Sequence, residues 1–188
     1  MHKLAATALV LMLLTTAAAA QVPKGNVFFG YSYVSADLGS SGRDNLNGWN
    51  GSLEGKMLPW VGIVADISSH YGSHDFTGIC EAIIGCNPPV IIHANATVRS
   101  FLFGPRVSVS VGKLTPFAHA LFGVAHISAS ASGFSTSDTS FGTALGGGID
   151  YRLIHGVGWR VHGDLLQTRF FSRTQDNFRL STGIVLHF

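Results

Sequence analysis

The stretch Trp60-Val-Gly-Ile-Val-Ala-Asp-Ile-Ser-Ser-His-Tyr71 sets Val61, Ile63, Ala65, Ile67 and Tyr71 on one side of an extended chain and Gly62, Asp66, Ser68 and His70 on the other. Successive side chains of a strand point to opposite faces, so this period of two predicts a strand with one apolar and one polar face. The run is longer than the ordinary strand of about five or six residues. A strand tilted across a bilayer needs about 9 to 11, and this one has that length.

Working outward in both directions, the same alternation recurs. It predicts strands over 26–35, 48–58, 60–71, 96–111, 115–128, 140–153, 157–170 and 177–188. In the second, Trp49, Leu53 and Met57 oppose Asn50, Ser52, Glu54 and Lys56; in the fourth, Phe101, Phe103, Val107, Val109 and Val111 oppose Gly104, Arg106, Ser108 and Ser110. The connections alternate in length: short at 58–60, 112–114 and 153–156, long and polar at 36–47, 72–95, 129–139 and 171–176. Tight turns on one side and longer loops on the other are the pattern of outer-membrane barrels, and both termini then fall on the short-turn side. After residue 21 no window reaches the roughly 18 apolar residues of a spanning helix, and in hydrocarbon only helices and closed barrels satisfy every backbone group. The fold class expected is all-β: an eight-stranded, antiparallel, up-and-down transmembrane β-barrel. A soluble β-sandwich shares the period-two signal and is the competing architecture.

Composition agrees with a single unit. The chain has 188 residues, 46% of them hydrophobic and only 12% charged, with 23 Gly and 13 Phe, which argues against disorder and against a coiled coil. Lys plus Arg number 12 against 10 Asp plus Glu, with no basic run able to neutralise a line of phosphates, so nucleic acid is not an expected partner. Residues 1–20 read as a secretory signal peptide: Lys3 gives the charge, Leu4 to Leu14 the apolar core and Ala17 to Ala20 a small-residue cleavage site. The mature chain, 21–188, is then expected to be one barrel domain in a bacterial outer membrane.

The polar face collects Glu54, Lys56, Asp66, Arg106, Asp150, Arg152, Arg160, His162, Asp164 and Arg179. An eight-stranded barrel is just wide enough inside for side chains, and buried charges persist only when paired. The expectation is a lumen plugged by ion pairs among Glu54, Asp66, Arg106, Asp150, Arg152, Arg160, Asp164 and Arg179, with Gly62, Gly104, Gly146 and Gly148 relieving crowding. Aromatic residues gather near both strand ends: Trp60, Phe117, Tyr151, Trp159 and Phe188 by the short turns, Tyr33, Trp49, Tyr71, Phe141 and Phe178 by the long loops. They predict two interfacial girdles.

Four stretches carry a family resemblance: Asn26-Val-Phe-Phe-Gly-Tyr-Ser-Tyr33, Phe103-Gly-Pro-Arg-Val107, Gly146-Gly-Gly-Ile-Asp-Tyr151 and Ser181-Thr-Gly-Ile-Val-Leu-His-Phe188. Together they resemble the small outer-membrane β-barrel family related to the OmpA transmembrane domain. The resemblance implies recognition of the last strand, ending in Phe188, by the barrel-assembly machinery, and a role in adhesion, envelope integrity or stress resistance. No peptidoglycan-binding domain follows the last strand, so anchoring to the cell wall is not expected.

Cys80 and Cys86 lie in the longest loop, and in an exported chain they read as a disulfide. Metal binding by the pair with His70, His74 or His93 is the alternative, but the spacing fits no standard zinc pattern; no metal or other cofactor is expected. His126-Ile127-Ser128 places an imidazole and a hydroxyl on one face, as activation of a nucleophile by a base requires. It is similar to the His-x-Ser of barrel-shaped lipid A deacylases, which add a Glu. The mature chain offers only Glu54 and Glu81, with Asp138 as a substitute. The leading expectation is therefore no enzyme. Instead it is a monomeric barrel held in outer-membrane lipid that meets an unidentified extracellular partner through its loops, with a lipid A deacylase-type hydrolase and a narrow pore as alternatives.

Overall fold

A computed structural model describes residues 24–36, 43–78, 90–131, 134–170 and 173–188. The signal segment 1–20 and the Cys80 to Cys86 pair lie outside the described residues. Eight strands follow one another: β1 (Gly25–Ala36), β2 (Asp44–Leu58), β3 (Val61–Gly78), β4 (Val90–Ser108), β5 (Leu114–Ala131), β6 (Phe134–Ile154), β7 (Val157–Phe170) and β8 (Arg173–His187). Each pairs antiparallel with its chain neighbours, and β1 also pairs with β8, from Asn26 opposite His187 to Ser35 opposite Phe178. The sheet is a closed up-and-down barrel. Closure leaves no unpaired edge, which is the condition for a sheet to exist in an apolar solvent. Reciprocal bonds between Gly25 and Phe188, 3.0 Å and 3.1 Å long, complete the seam at the short-turn end.

The short turns are tight because glycine permits it. Gly112 and Gly156 adopt φ of 62° and 79°, the left-handed region that costs an L side chain strain. Register shifts at Lys56/Leu58 and at Arg152/Ile154 lie next to the Pro59-Trp60 and His155-Gly156 turns.

Every strand but β7 is longer than the alternation indicated, and most of the added length lies toward the long-loop end; β4 stops at Ser108, short of the expected residue 111. The segment 72–95, expected as a loop, continues the β3/β4 ladder from Gly72 opposite Ala96 to Gly78 opposite Val90. The serine-rich 129–139 connection, also expected as a loop, is mostly hairpin: beyond His126 opposite Thr139 the ladder adds Ser128 with Ser137 and Ser130 with Ser135, ending at Ala131 with Phe134. Polar composition was the misleading sign. In Ser128 to Ser130 and Ser135 to Ser137 both faces are exposed or half-exposed, so alternation vanishes while the hydrogen-bond ladder, its register already fixed below, goes on.

The outward face is apolar and bare. Phe29, Ile63, Ile67, Phe101, Leu145, Leu165 and Ile184 are all exposed, Phe29 by 63%. A contiguous surface of this kind marks a membrane or a partner as its true environment. Among the described residues no helix is long and apolar enough to cross a membrane.

Candidate functional site

The polar residues converge inside. Asn26 enters from β1, Asn50 and Glu54 from β2, Asp66 from β3, Arg106 from β4, His119 from β5, Asp150 from β6, Arg160 and Asp164 from β7 and Arg179 from β8, all buried. Arg160 grips Asp150 with two bonds, Nε to Oδ1 at 2.6 Å and Nη2 to Oδ2 at 2.7 Å, and Nη2 also donates to Asn26 Oδ1 at 2.9 Å. Asn26 passes the chain on, donating to Glu54 Oε2 at 2.6 Å, which also receives Arg106 Nη1 at 3.0 Å. Arg179 spans two carboxylates, Asp66 at 2.8 Å and Asp164 at 2.7 Å. His119 Nε2 lies 2.7 Å from the other oxygen of Asp164, and Asn50 donates to Asp66 at 2.8 Å. Four carboxylates are thus held by three guanidiniums and His119, with His162 3.7 Å from Asp164 and His187 3.6 Å from Asp150. Full burial of such charges is tolerable only with multiple short bonds of this sort.

Two sequence expectations are corrected. Phe117, assigned to the short-turn girdle, points inward and is buried, its ring flanked by Arg106 at 4.3 Å and Arg160 at 4.9 Å. The alternation places it with His119 and Leu121, and two guanidiniums supply the cation–π contacts that make an aromatic ring a good lumen neighbour. Arg152, assigned to the ion-pair lumen, is exposed and enters none of the described ion pairs. It stands at the register shift itself, at the mouth of the barrel, where its side chain is exposed. Lys56 is half-buried at the same mouth, donating to Ser108 Oγ at 3.0 Å.

The lumen is also less uniformly ionic than expected. Val64, Leu102, Leu121, Ala144 and Leu166 form a buried apolar cluster on the inner face, and Val34, Ala36, Leu46, Val98, Ala125, Ile127 and Phe170 form a second. The second stands beyond the ionic layer, toward the long-hairpin end, because its residues occupy the outer halves of their strands. Asn26, Phe28 and the structural part played by His119 escaped the sequence reading, whereas Asn50 lies on the polar face where the alternation put it. Counting alternate positions along β1 would have found two of them, since Phe28 and Phe29 necessarily face opposite ways.

The remaining aromatic residues assigned to the girdles face outward. Tyr33, Trp49, Tyr71, Phe141 and Phe178 ring the barrel toward the long hairpins; Trp60, Tyr151, Trp159 and Phe188 ring it beside the short turns. Tyr33 donates to Asn45 at 2.5 Å and Tyr31 to Asn47, so their hydroxyls find polar partners while the rings lie on the wall. The glycines expected to relieve crowding do so: a Cβ on Gly146 would meet Asp164 Oδ1 at 2.1 Å, and one on Gly62 would meet Glu54 Oε1 at 2.6 Å.

His126 and Ser128 stand on the outer wall. His126 Nδ1 lies 2.8 Å from Thr139 Oγ1 rather than against a carboxylate. Asp138, considered as a third group, is paired in register with buried Ile127 and so belongs to the opposite face, its carboxylate accepting from Thr139 N at 2.8 Å. Among the described hydrogen bonds, the imidazole meets the Thr139 hydroxyl and no carboxylate. Among residues whose side chains are described, no cluster of three or more metal-ligating groups is present.

A closed barrel of eight strands with a paired ionic interior and a bare apolar exterior defines a membrane-embedded β-barrel protein. Comparison with known families agrees: the model for the outer membrane protein beta-barrel domain matches residues 6–188, and the chain belongs to that family. Among solved structures, Ail, the attachment invasion locus protein of Yersinia pestis, is similar at a TM-score of 0.58 and 16% identity, covering 87% of this chain and 99% of Ail. Neisserial surface protein A is similar at 0.62 and 12% identity, covering 87% and 97%. OprG of Pseudomonas aeruginosa is similar at 0.56 and 10%, covering 89% and 96%. At these identities the likeness is one of fold. A comparison with curated protein sequences finds no match.

Proposed function

We propose that the protein is a structural and surface-interaction component of a bacterial outer membrane, acting through its external hairpins and catalysing no reaction. The observation that carries this reading is the lumen: Arg106, Arg160 and Arg179 are each paired with a buried carboxylate below, and an apolar cluster around Leu46, Val98 and Phe170 packs the inner face above. With the interior spent on holding the wall together, what is left for function is the outside. β3 to β6, of 18 to 21 residues each, exceed what a bilayer requires and raise their hairpins beyond it. The kinship in fold with an attachment protein supports adhesion as the form of that interaction.

Two experiments test it. Purified protein in planar bilayers should carry no large steady current; a stable open conductance would favour the pore. Cells displaying the protein should adhere to a host-matrix surface, and replacing 128–137 by a short Gly-Asn turn should abolish adhesion while the barrel still assembles. Adhesion that survives every hairpin replacement would overturn the reading. Export by the 1–20 signal, assembly through the strand ending in Phe188 and a Cys80 to Cys86 disulfide belong to the same proposal. For the last, thiol labelling of the unfolded protein should require prior reduction.

The hydrolase reading has one observation in its favour, the position of His126 and Ser128 on the outer wall at the edge of the apolar belt. A lipid A deacylation assay in which wild type is active and Ser128→Ala is not would establish it.

A further inference from the structure

The register aligns a row of outward residues across five strands: Trp49 on β2, Ser69 on β3, Arg99 on β4, His126 on β5 and Thr139 on β6. Directly beneath, toward the short turns, runs a second outward row: Gly51, Ile67, Phe101, Val124 and Phe141. Small Ser69 between larger neighbours leaves a surface groove of about 390 Å³ lined by Trp49, Ile67, Tyr71, Arg99, Phe101 and His126, among others. Ser69 is buried although its position belongs to the outer face, and its Oγ has no hydrogen-bond partner among the described residues. A buried hydroxyl without a partner is costly, and it marks a place where a ligand atom would complete the bonding.

The charge at this place is one-sided. Arg99 is exposed and His126 half-exposed, while the outward residues of the row above are Asn47, Tyr71, Thr97, Ser128 and Ser137, with no carboxylate among them. A guanidinium at the upper rim of an apolar belt, over a greasy slot, is chemically two-part. The rim suits a phosphate, which guanidinium binds through parallel N–H bonds. The slot below suits an acyl chain.

We propose that this groove is a binding site for a phosphate-bearing acyl lipid of the surrounding leaflet, with the phosphate at Arg99 and His126 and one chain laid along Ile67, Phe101 and Val124. The proposal rests on the reading that the outward face meets lipid.

The test uses the full barrel in maltoside micelles, incubated with diphosphorylated lipid A and, separately, with the same lipid after its phosphates are removed, and analysed by native mass spectrometry. Wild type should retain one phosphorylated molecule and not the dephosphorylated one. Arg99→Gln, which removes the cation, and Val124→Trp, which fills the slot and leaves the cation, should each cut retention by about tenfold, the loss of roughly one charge-assisted bond or its equivalent in packing. Each variant must first migrate as a folded barrel before heating, which keeps a folding failure apart from a binding failure. Failure of wild type to retain the lipid, or retention by either variant equal to wild type, overturns the proposal. If all forms assemble in bilayers yet retain lipid equally, the membrane reading stands and only the groove falls.

Discussion

Arg179 of β8 and Asp66 of β3 meet at 2.8 Å across the lumen, although β1 and β2 separate their strands around the wall. The contact is a strut between strands that share no ladder, and Asp164 of β7 anchors its other side at 2.7 Å. Removing Arg179 would leave two buried carboxylates facing each other. Arg179→Met should therefore cost about 3 to 5 kcal/mol, as breaking one partner of a buried pair does, whereas Arg179→Met with Asp66→Leu and Asp164→Leu should recover most of that loss. Urea unfolding in detergent, followed by the heat-modifiable gel shift, measures both. Equal stability of the single variant and wild type would show that the strut contributes nothing.

Phe117 gives a sharper distinction between inside and outside. Phe117→Ala should cost about 3 to 5 kcal/mol, the usual cost for emptying a buried aromatic site, because the ring fills the space between Arg106 and Arg160. Phe141→Ala removes an exposed ring and should cost less under the same urea titration. The reverse order would return Phe117 to the girdle.

Gly146 and Gly55 form a matched pair for the same measurement. A methyl group on Gly146 would collide with Asp164 Oδ1 at 2.1 Å and Gly163 O at 2.3 Å, while nothing stands within 4 Å of one on Gly55. Gly146→Ala should destabilise by about 1 to 3 kcal/mol through overpacking. Gly55→Ala should be neutral or stabilise by about 0.4 to 1 kcal/mol through the unfolded chain.

The environment of the outer wall is testable at Leu145, opposite Ala120 on β5 and Leu165 on β7 and 64% exposed. Leu145→Arg should cost about 2 to 4 kcal/mol in lipid vesicles if the position lies near the bilayer midplane. In water the same change on an exposed wall would be harmless or helpful. A neutral result in vesicles would remove the membrane from the account.

Period-two alternation was enough to read the barrel because the belt imposes different solvents on its two faces. Val61 to Tyr71 shows this directly: Ile63 and Ile67 are exposed to the outside, Asp66 and Ser68 are buried within. Where the solvents become alike, the signal fades. Ser128 to Ser137 reads as a loop because its described residues, Ser128 to Ser130 and Ser135 to Ser137, are exposed or half-exposed on both faces. Val64 was illegible for the opposite reason, since Ile63-Val64-Ala65 is apolar on both faces and its inner member packs with Leu102 and Leu121. Face alone also says nothing of depth, which is why Arg152 was placed among the ion pairs although it lies at the mouth. The pairing of particular charges, such as Arg179 with Asp66 across the bore, depends on how far each strand is staggered, and no local pattern encodes that.

The paired bonds between Gly25 and Phe188 mean that the wall has no privileged starting point. A gene re-cut so that translation begins in one external hairpin, with the old ends spliced by a short peptide, should produce the same cylinder. What such a permuted chain would change is the order in which staves reach the cell's insertion apparatus, so comparing its yield in cells with its yield from urea into vesicles would separate the information needed for the shape from that needed for delivery.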